Sequence, residues 1–256
     1  MPDRTACVLV IGNEVLSGRT RDANIPMIAT GLAGIGIALK EARIIPDMHE
    51  AIVSALHDVR DRFDLVFTTG GIGPTHDDIT AEAVSAAFGV ELEQNPDAVK
   101  RLRDYYGPEH LTPARLRMAR IPVGAALLDN PVSAAPGFCI GNVYILAGVP
   151  RIAAACFDLL KPGLAGGAAI VSRAVSAAVR ESDLAASLGG IQASFPDVDI
   201  GSYPFMTPTG YGVSIVARGT DPERLDQAAA AVADAMRALG VEPFFADHAA
   251  AADGSS

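Results

Sequence analysis

The chain has 256 residues, 50% of them hydrophobic, enough for one sizeable domain or for a domain with a small companion. Asp and Glu number 30 against 20 Lys and Arg, a net charge of −10, and no basic cluster is present. That balance excludes a general nucleic-acid binder and requires any anionic ligand to be held locally. The three cysteines, Cys7, Cys139 and Cys156, form no CxxC or CxxH pattern. No signal-peptide pattern opens the chain, and no apolar run reaches the roughly 18 residues of a membrane span, so a reduced, cytoplasmic, membrane-free protein is expected.

Ala6 to Gly12, ACVLVIG, is a continuous apolar run ending at glycine, the pattern of a strand buried on both faces. Beyond the polar loop NEVLSGRTRDAN, Ile28 and Leu32 stand four apart, as in a helix. IGIALKEARII reads as a strand, and Pro46-Asp47 opens a helix with Ile52, Val53, Leu56, Val59 and Phe63 at helical spacing. Asp64 to Thr69 is another buried strand, and TAEAVSAAFG a short helix closed by Gly89. Such alternation predicts right-handed crossovers and a mainly parallel sheet covered on both faces, with ligands at the carboxyl ends of its strands.

The segment from Asp97 to Pro122 reads as helical in two pieces broken at Gly107-Pro108, its Arg and Lys residues lying on solvated faces. FCIGNVYILAG reads as a hairpin turning at Gly141-Asn142. Glycine-rich KPGLAGGAAI then breaks the periodicity and separates a domain over residues 1–165 from one over 170–245. The second reads β-α-β-β-α, a small α+β unit, and residues 246–256 read as a disordered tail. Tyr203, Phe205 and Tyr211 read as strand-core packing, with stacking on a ligand ring as the alternative; the small residues of DQAAAAVADAMRAL suit close helix contacts, within the domain or at a subunit interface.

FTTGGIGPTHDD, Phe67 to Asp78, sets three glycines at the end of a buried strand and follows them with two aspartates. Glycine admits positive φ and close ligand approach, so GGIG between a strand and a helix can turn several N–H groups toward one anion, aided by the helix dipole. A dinucleotide fingerprint is excluded because His76 stands where the third glycine belongs, and a Walker loop because no Gly-Lys-Ser/Thr follows. Adjacent carboxylates beside a phosphate site repel the ligand unless a cation joins them, as Mg²⁺ does with one or two carboxylates plus substrate phosphates. On spacing alone that reading stands level with its alternative, in which one aspartate caps the next helix and the other is surface charge. His76 reads as an exposed loop histidine, and no nucleophile elbow or cysteine-histidine pair supports covalent catalysis.

TTGGIGPTHDDIT resembles the signature of the molybdopterin-binding (MoaB/Mog) domain family. Its Asp-Asp ending is similar to the CinA-like competence/damage-inducible branch, and GNEVLSGRTRDAN, IIPD, NPVSAAPGF and LAGVP match further family segments in order. The resemblance implies a three-layer α/β/α sandwich with a small α+β second domain. It also implies a pterin or nucleotide phosphate at the glycine loop, and a divalent metal, Mg, Mn or Co. Thr69, Gly70, Gly71 and Gly73 match the phosphate-binding loop, Asp78 the metal-linked catalytic aspartate, Asp47 a second functional aspartate, and Asp77 the additional acid of the CinA-like branch, a metal ligand with Asp78. Glu14 and Ser17 match the first-strand loop, Asn24 the residue opening the next helix, and Asn130, Pro136 and Gly137 the second binding segment. Departures fall at Ser133 and Ala134, where Gly and Thr are common, and at Ile152, where Glu is usual.

The function implied is metal-dependent hydrolysis of a nucleotide diphosphate of the ADP-ribose or FAD type, by a homo-oligomer. The alternatives are adenylyl transfer to molybdopterin and a non-catalytic pterin- or nucleotide-binding module. With no C-terminal deamidase domain in the chain, nicotinamide-nucleotide deamidation is expected to be absent.

Overall fold

A computed structural model describes residues 4–164, 166–207 and 210–246, which divide into two units between Gly167 and Ala168. In the first, the opening apolar run forms β1 (Arg4–Ile11), followed by a single turn, α1 (Asn13–Leu16), and by α2 (Asn24–Ala33). Then come β2 (Ile37–Ile45), α3 (His49–Arg60), β3 (Leu65–Thr69), α4 (Thr80–Phe88), β4 (Leu92–Gln94) and α5 (Pro96–Tyr106). The unit closes with α6 (Pro113–Arg117), β5 (Arg120–Pro122), β6 (Ala126–Leu128), β7 (Gly137–Ile140), β8 (Val143–Leu146) and α7 (Pro150–Leu160).

Six strands make one sheet in the order β2-β1-β3-β8-β7-β6. The first four run parallel; β7 and β6 add antiparallel pairs, and the β7–β8 hairpin turns at Gly141 with φ 58°. β3 lies between β1 and β8 with all five residues buried, which is why its sequence shows no polar alternation. One face packs Leu9, Val66 and Ile145 against Ile52 and Leu56 of α3, Val84 of α4 and Leu102 of α5. The opposite face packs Val8, Val10 and Phe67 against Ile28 and Leu32 of α2 and Phe157 of α7. The sheet covered on both faces that the strand-helix alternation predicts, and the sandwich that the resemblance implies, are therefore the fold, with a mixed, mostly parallel sheet.

Two local expectations give way. Residues 120–122 are strand rather than helix, because β5 pairs antiparallel with β4, some 28 residues earlier by the Leu92↔Pro122 and Gln94↔Arg120 register. α3 opens at His49 rather than at Pro46-Asp47, since Met48 holds the extended N-cap position and the Asp47 side chain is engaged elsewhere.

The second unit contains β9 (Val171–Ala177), α8 (Glu181–Ser194), β10 (Asp199–Thr207), β11 (Gly210–Gly219), α9 (Pro222–Ala238) and β12 (Phe244–Ala246). Its antiparallel sheet has the order β10-β11-β9-β12; the short β12 was not expected. The small residues of α9 are used within the unit: Ala228, Ala229, Val232, Ala233 and Met236 are buried in its cores. Tyr203 and Tyr211 are 47% and 62% exposed rather than core: Tyr203 lies on the edge strand β10, and Tyr211 lies beyond Val213, where pairing with β9 ends. Residues 247–256, which include nearly all of the expected tail, lie outside the described residues. No helix among the described residues is long and apolar enough to cross a membrane.

Candidate functional site

Parallel pairing brings the loops that follow β1, β2, β3 and β8 to one edge of the first sheet, and the glycine loop is the central one. Gly70 N–H extends the ladder to Leu146 O at 3.2 Å, after which Gly70 and Gly71 take φ of 105° and 68°. Space as well as conformation demands glycine here. A Cβ on Gly70 would lie 2.1 Å from Ile11 O, and one on Gly71 would lie 2.2 Å from Thr80 Oγ1. The buried Thr80 opens α4 and holds both glycine carbonyls, donating from Oγ1 to Gly70 O at 2.9 Å and from N to Gly71 O at 3.0 Å. With their carbonyls turned to the helix, the N–H groups of Gly71, Ile72 and Gly73 meet no protein acceptor among the described residues. Three consecutive free donors beside a helix start are an arrangement that can accept an anion.

The two aspartates separate. Neither caps α4: its N-cap position is Ile79, with no side-chain cap bond. Asp78 instead accepts from Thr75 N at 2.8 Å and from the Thr75 hydroxyl, both at Oδ2, and lies against Gly73, where a Cβ would come within 2.7 Å of it. Asp77 stands outward with a 67% exposed side chain, 3.9 Å from His76, itself 96% exposed. The nearby Thr75 hydroxyl, the Asp77 backbone N–H and His76 together hold the Asp77 carboxyl below the ordinary carboxylate value.

Below the loop lies a cavity of about 20 Å³, lined by Gly71, Gly73, Asp78, Pro136 and Phe138 and, from the α6–β5 segment, by Arg117 and Arg120. That is room for one water or one phosphoryl oxygen. Arg120 is paired with Glu82 in the first turn of α4. A larger groove of about 460 Å³ opens between α2 and α7, but none of the expected site residues lines it.

The remaining residues brace this arrangement. Asp47, just beyond β2, accepts from Asn13 N at 2.7 Å and so ties the ends of β2 and β1 together. Glu14 folds its carboxylate over Gly12, where a Cβ would lie 2.6 Å from Oε1, and Ser17 is exposed, its hydroxyl donating to Glu14 O. Asn24 is buried and donates to Gly148 O at 2.9 Å; Gly148 in turn packs on Gly70, where its Cβ would approach Gly70 Cα to 3.2 Å. Asn130 accepts from Val132 N and Ser133 N and donates to Ser133 Oγ and Ala135 O, which uses all its hydrogen-bonding capacity. It shapes the segment that delivers Pro136 to the cavity. Gly137 is buried against β8, with no room for a Cβ beside Ile145 O. Among the described residues, three buried polar atoms lack partners: Thr68 Oγ1, Thr69 Oγ1 and Asn24 Oδ1. Both threonines end the strand that carries the glycine loop.

Arg117, Arg120, Thr75 and Thr80 did not stand out in the sequence. The arginines sit in a stretch with helical periodicity, and only the fold brings that stretch beneath the loop. Three His, Cys, Asp or Glu side chains do not gather as a metal cage among the described residues. The donor set present, Asp78 with its Oδ1 free of hydrogen bonds and Asp77 next to it in sequence, fits a hard cation completed by substrate phosphates and water.

Residues 7–166 match the family described as "probable molybdopterin binding domain", and residues 169–243 match the middle domain of FAD synthase. A protein of Pyrobaculum arsenaticum is 40% identical over 159 residues, which is 60% of this chain and 60% of that protein. The first relatives are thus spanned over less than two thirds of their length. A protein of Aeropyrum pernix is 33% identical over 248 residues, 91% of this chain and 90% of its own. Among solved structures, the protein CinA of Thermoplasma acidophilum, whose function is given as unknown, is 34% identical with a TM-score of 0.60, covering 63% of this chain and 98% of that one. Family match, fold and glycine-loop geometry agree: the chain belongs to the molybdopterin-binding domain family, in its CinA-like branch.

Proposed function

We propose that the first unit hydrolyses a nucleotide diphosphate of the ADP-ribose or FAD type with a divalent cation. The observation that carries this reading is the run of three free N–H groups, Gly71 to Gly73, set against the Thr75-anchored carboxylate of Asp78. Donors alone would suit any phosphate ligand. Donors with a fixed carboxylate on the same loop suit a phosphate that reacts, because the carboxylate repels a bare anion and tolerates one shared with a cation. The family match in the second unit to the middle domain of FAD synthase supports a dinucleotide as ligand.

In this reading the glycine N–H groups hold one phosphoryl group and stabilise charge gathering on its oxygens. Asp78, with Asp77, would hold the cation, which when bound would supply charge neutralisation of the diphosphate and activation of water. Asp47 fixes the neighbouring loop through Asn13 N and orients water at the same edge. A water oxygen bonds to one phosphorus, the bridging P–O bond breaks, the bridging oxygen leaves with the second phosphate, and the water proton passes to solvent.

The test is to incubate the protein with ADP-ribose and FAD under Mg²⁺, Mn²⁺ and Co²⁺, beside Asp78→Ala. Metal-dependent release of the two monophosphates by the wild type, reduced at least about 100-fold in the variant, is the expected result. Equal turnover by both proteins sinks the role of Asp78. Binding of molybdopterin without hydrolysis of either diphosphate replaces this reading with the pterin-binding one.

A further inference from the structure

The α6–β5 segment passes beneath the glycine loop, and its arginines are treated unequally. Arg115 donates to His110 O and stacks at 4.1 Å on the Tyr106 ring, which pins α6 to α5. Arg120 is paired with Glu82. Arg117, between them, lines the cavity with Gly71, Gly73 and Asp78, yet makes no hydrogen bond, ion pair or ring contact among the described residues. Its side chain is neither fully buried nor free on the surface. A partly enclosed guanidinium ordinarily finds a carboxylate, and this chain has 30 acids to 20 basic residues. The cavity it lines otherwise offers glycine-loop backbone, apolar side chains and the Asp78 carboxylate, whose Oδ2 accepts from Thr75 and whose Oδ1 would be left to the cation of the proposed site.

We infer that Arg117 is a substrate-binding residue that clamps the second phosphate of a diphosphate, the first being held by the glycine N–H groups. The cavity admits one phosphoryl oxygen, to which the guanidinium can donate while the rest of the phosphate stays at its mouth, and the fixed positive charge offsets the second negative charge that distinguishes a diphosphate from a monophosphate. The residue thereby selects diphosphates over phosphate monoesters. This inference rests on the reading of the site as a diphosphate site and adds the group that sets its specificity. A purely structural role has a different signature: a cation in the last turn of α6 that served only the helix dipole would affect unfolding and leave ligand selectivity unchanged.

The experiment compares wild type, Arg117→Lys and Arg117→Ala as full chains with Mg²⁺. Calorimetry measures affinity for ADP-ribose, inorganic pyrophosphate and inorganic phosphate; thermal unfolding and the KM and kcat for ADP-ribose are measured alongside. Arg117→Ala is expected to weaken ADP-ribose and pyrophosphate by roughly 10- to 100-fold and phosphate by less than about 3-fold, through KM rather than kcat, with Arg117→Lys recovering part of the loss. Affinities within about 2-fold of wild type, or equal weakening toward phosphate and pyrophosphate, overturn the inference. So does a wild type that binds neither diphosphate. A wild type that binds both without hydrolysing ADP-ribose refutes the hydrolase reading alone, and the selectivity comparison still decides the role of Arg117.

Discussion

Thr69 and Thr80 bracket the glycine loop, are both buried, and differ in one respect: the Thr80 hydroxyl has an acceptor and the Thr69 hydroxyl has none. Replacing each by valine keeps volume and branching and removes only the oxygen, which makes the pair a direct test of how the loop is held. In Thr80→Val, Gly70 O loses the 2.9 Å bond from Oγ1 and is left against a methyl group. The cost of such an orphaned buried acceptor is about 1–3 kcal/mol. In Thr69→Val a buried hydroxyl without a partner disappears, a change expected to stabilise by about 1 kcal/mol. For a unit of this size each kcal/mol is worth about 2–4 °C in Tm, so the variants should diverge by several degrees in opposite directions. Urea unfolding of the full chain followed by circular dichroism reads both, with an unchanged slope confirming that the unfolded state is the same. If Thr69 meets ligand through its hydroxyl, the more stable variant also binds ADP-ribose more weakly. Two shifts of the same sign, or a destabilised Thr69→Val, would falsify this account of the loop.

Gly70→Ala and Gly89→Ala both place a side chain at positive φ, but only the first meets a wall, Ile11 O at 2.1 Å, while Gly89 has nothing within 4 Å. Chemical unfolding should show a loss above about 3 kcal/mol for Gly70→Ala and near 1 kcal/mol for Gly89→Ala. Burial, reinforced by the Glu41 charge, pushes the Cys7 thiol from 9.0 up to about 11. Between those values an unfolded chain loses the proton and the folded one keeps it, so stability falls as pH rises from about 9 to about 11. Cys7→Val should flatten that slope without abolishing it, since burial also raises Cys139 and Cys156.

The sequence disclosed what is local. The buried run before Gly70 and the glycine spacing announced the loop, because positive φ and a missing Cβ leave a compositional mark. It was silent where pairing partners are distant. Leu92–Gln94 and Arg120–Pro122 are three residues each, too short to show a period of two, and only their mutual ladder makes them strands. Arg117 shared that fate: nothing distinguishes a cavity-lining arginine from a solvated one until β5 fixes where α6 ends. Asn130 is the converse, a residue whose likeness to the family was plain but whose hydrogen bonds all return to its own loop. Asp77 and Asp78, adjacent in sequence, sit in different settings because the Thr75 backbone N–H donates to Asp78, while the Asp77 side chain stands 67% exposed.

At Gly70 the ends of three strands meet through backbone, with Ile11 O on one side and Gly148 on the other. No side chain can enlarge there, so the floor of the site cannot be remodelled one residue at a time without parting β1, β3 and β8. Changes that would alter what this site accepts are thereby pushed outward, to the exposed residues 17–21 after α1 and to the 130–136 segment. That second segment is held by Asn130, which donates to Ser133 Oγ and Ala135 O.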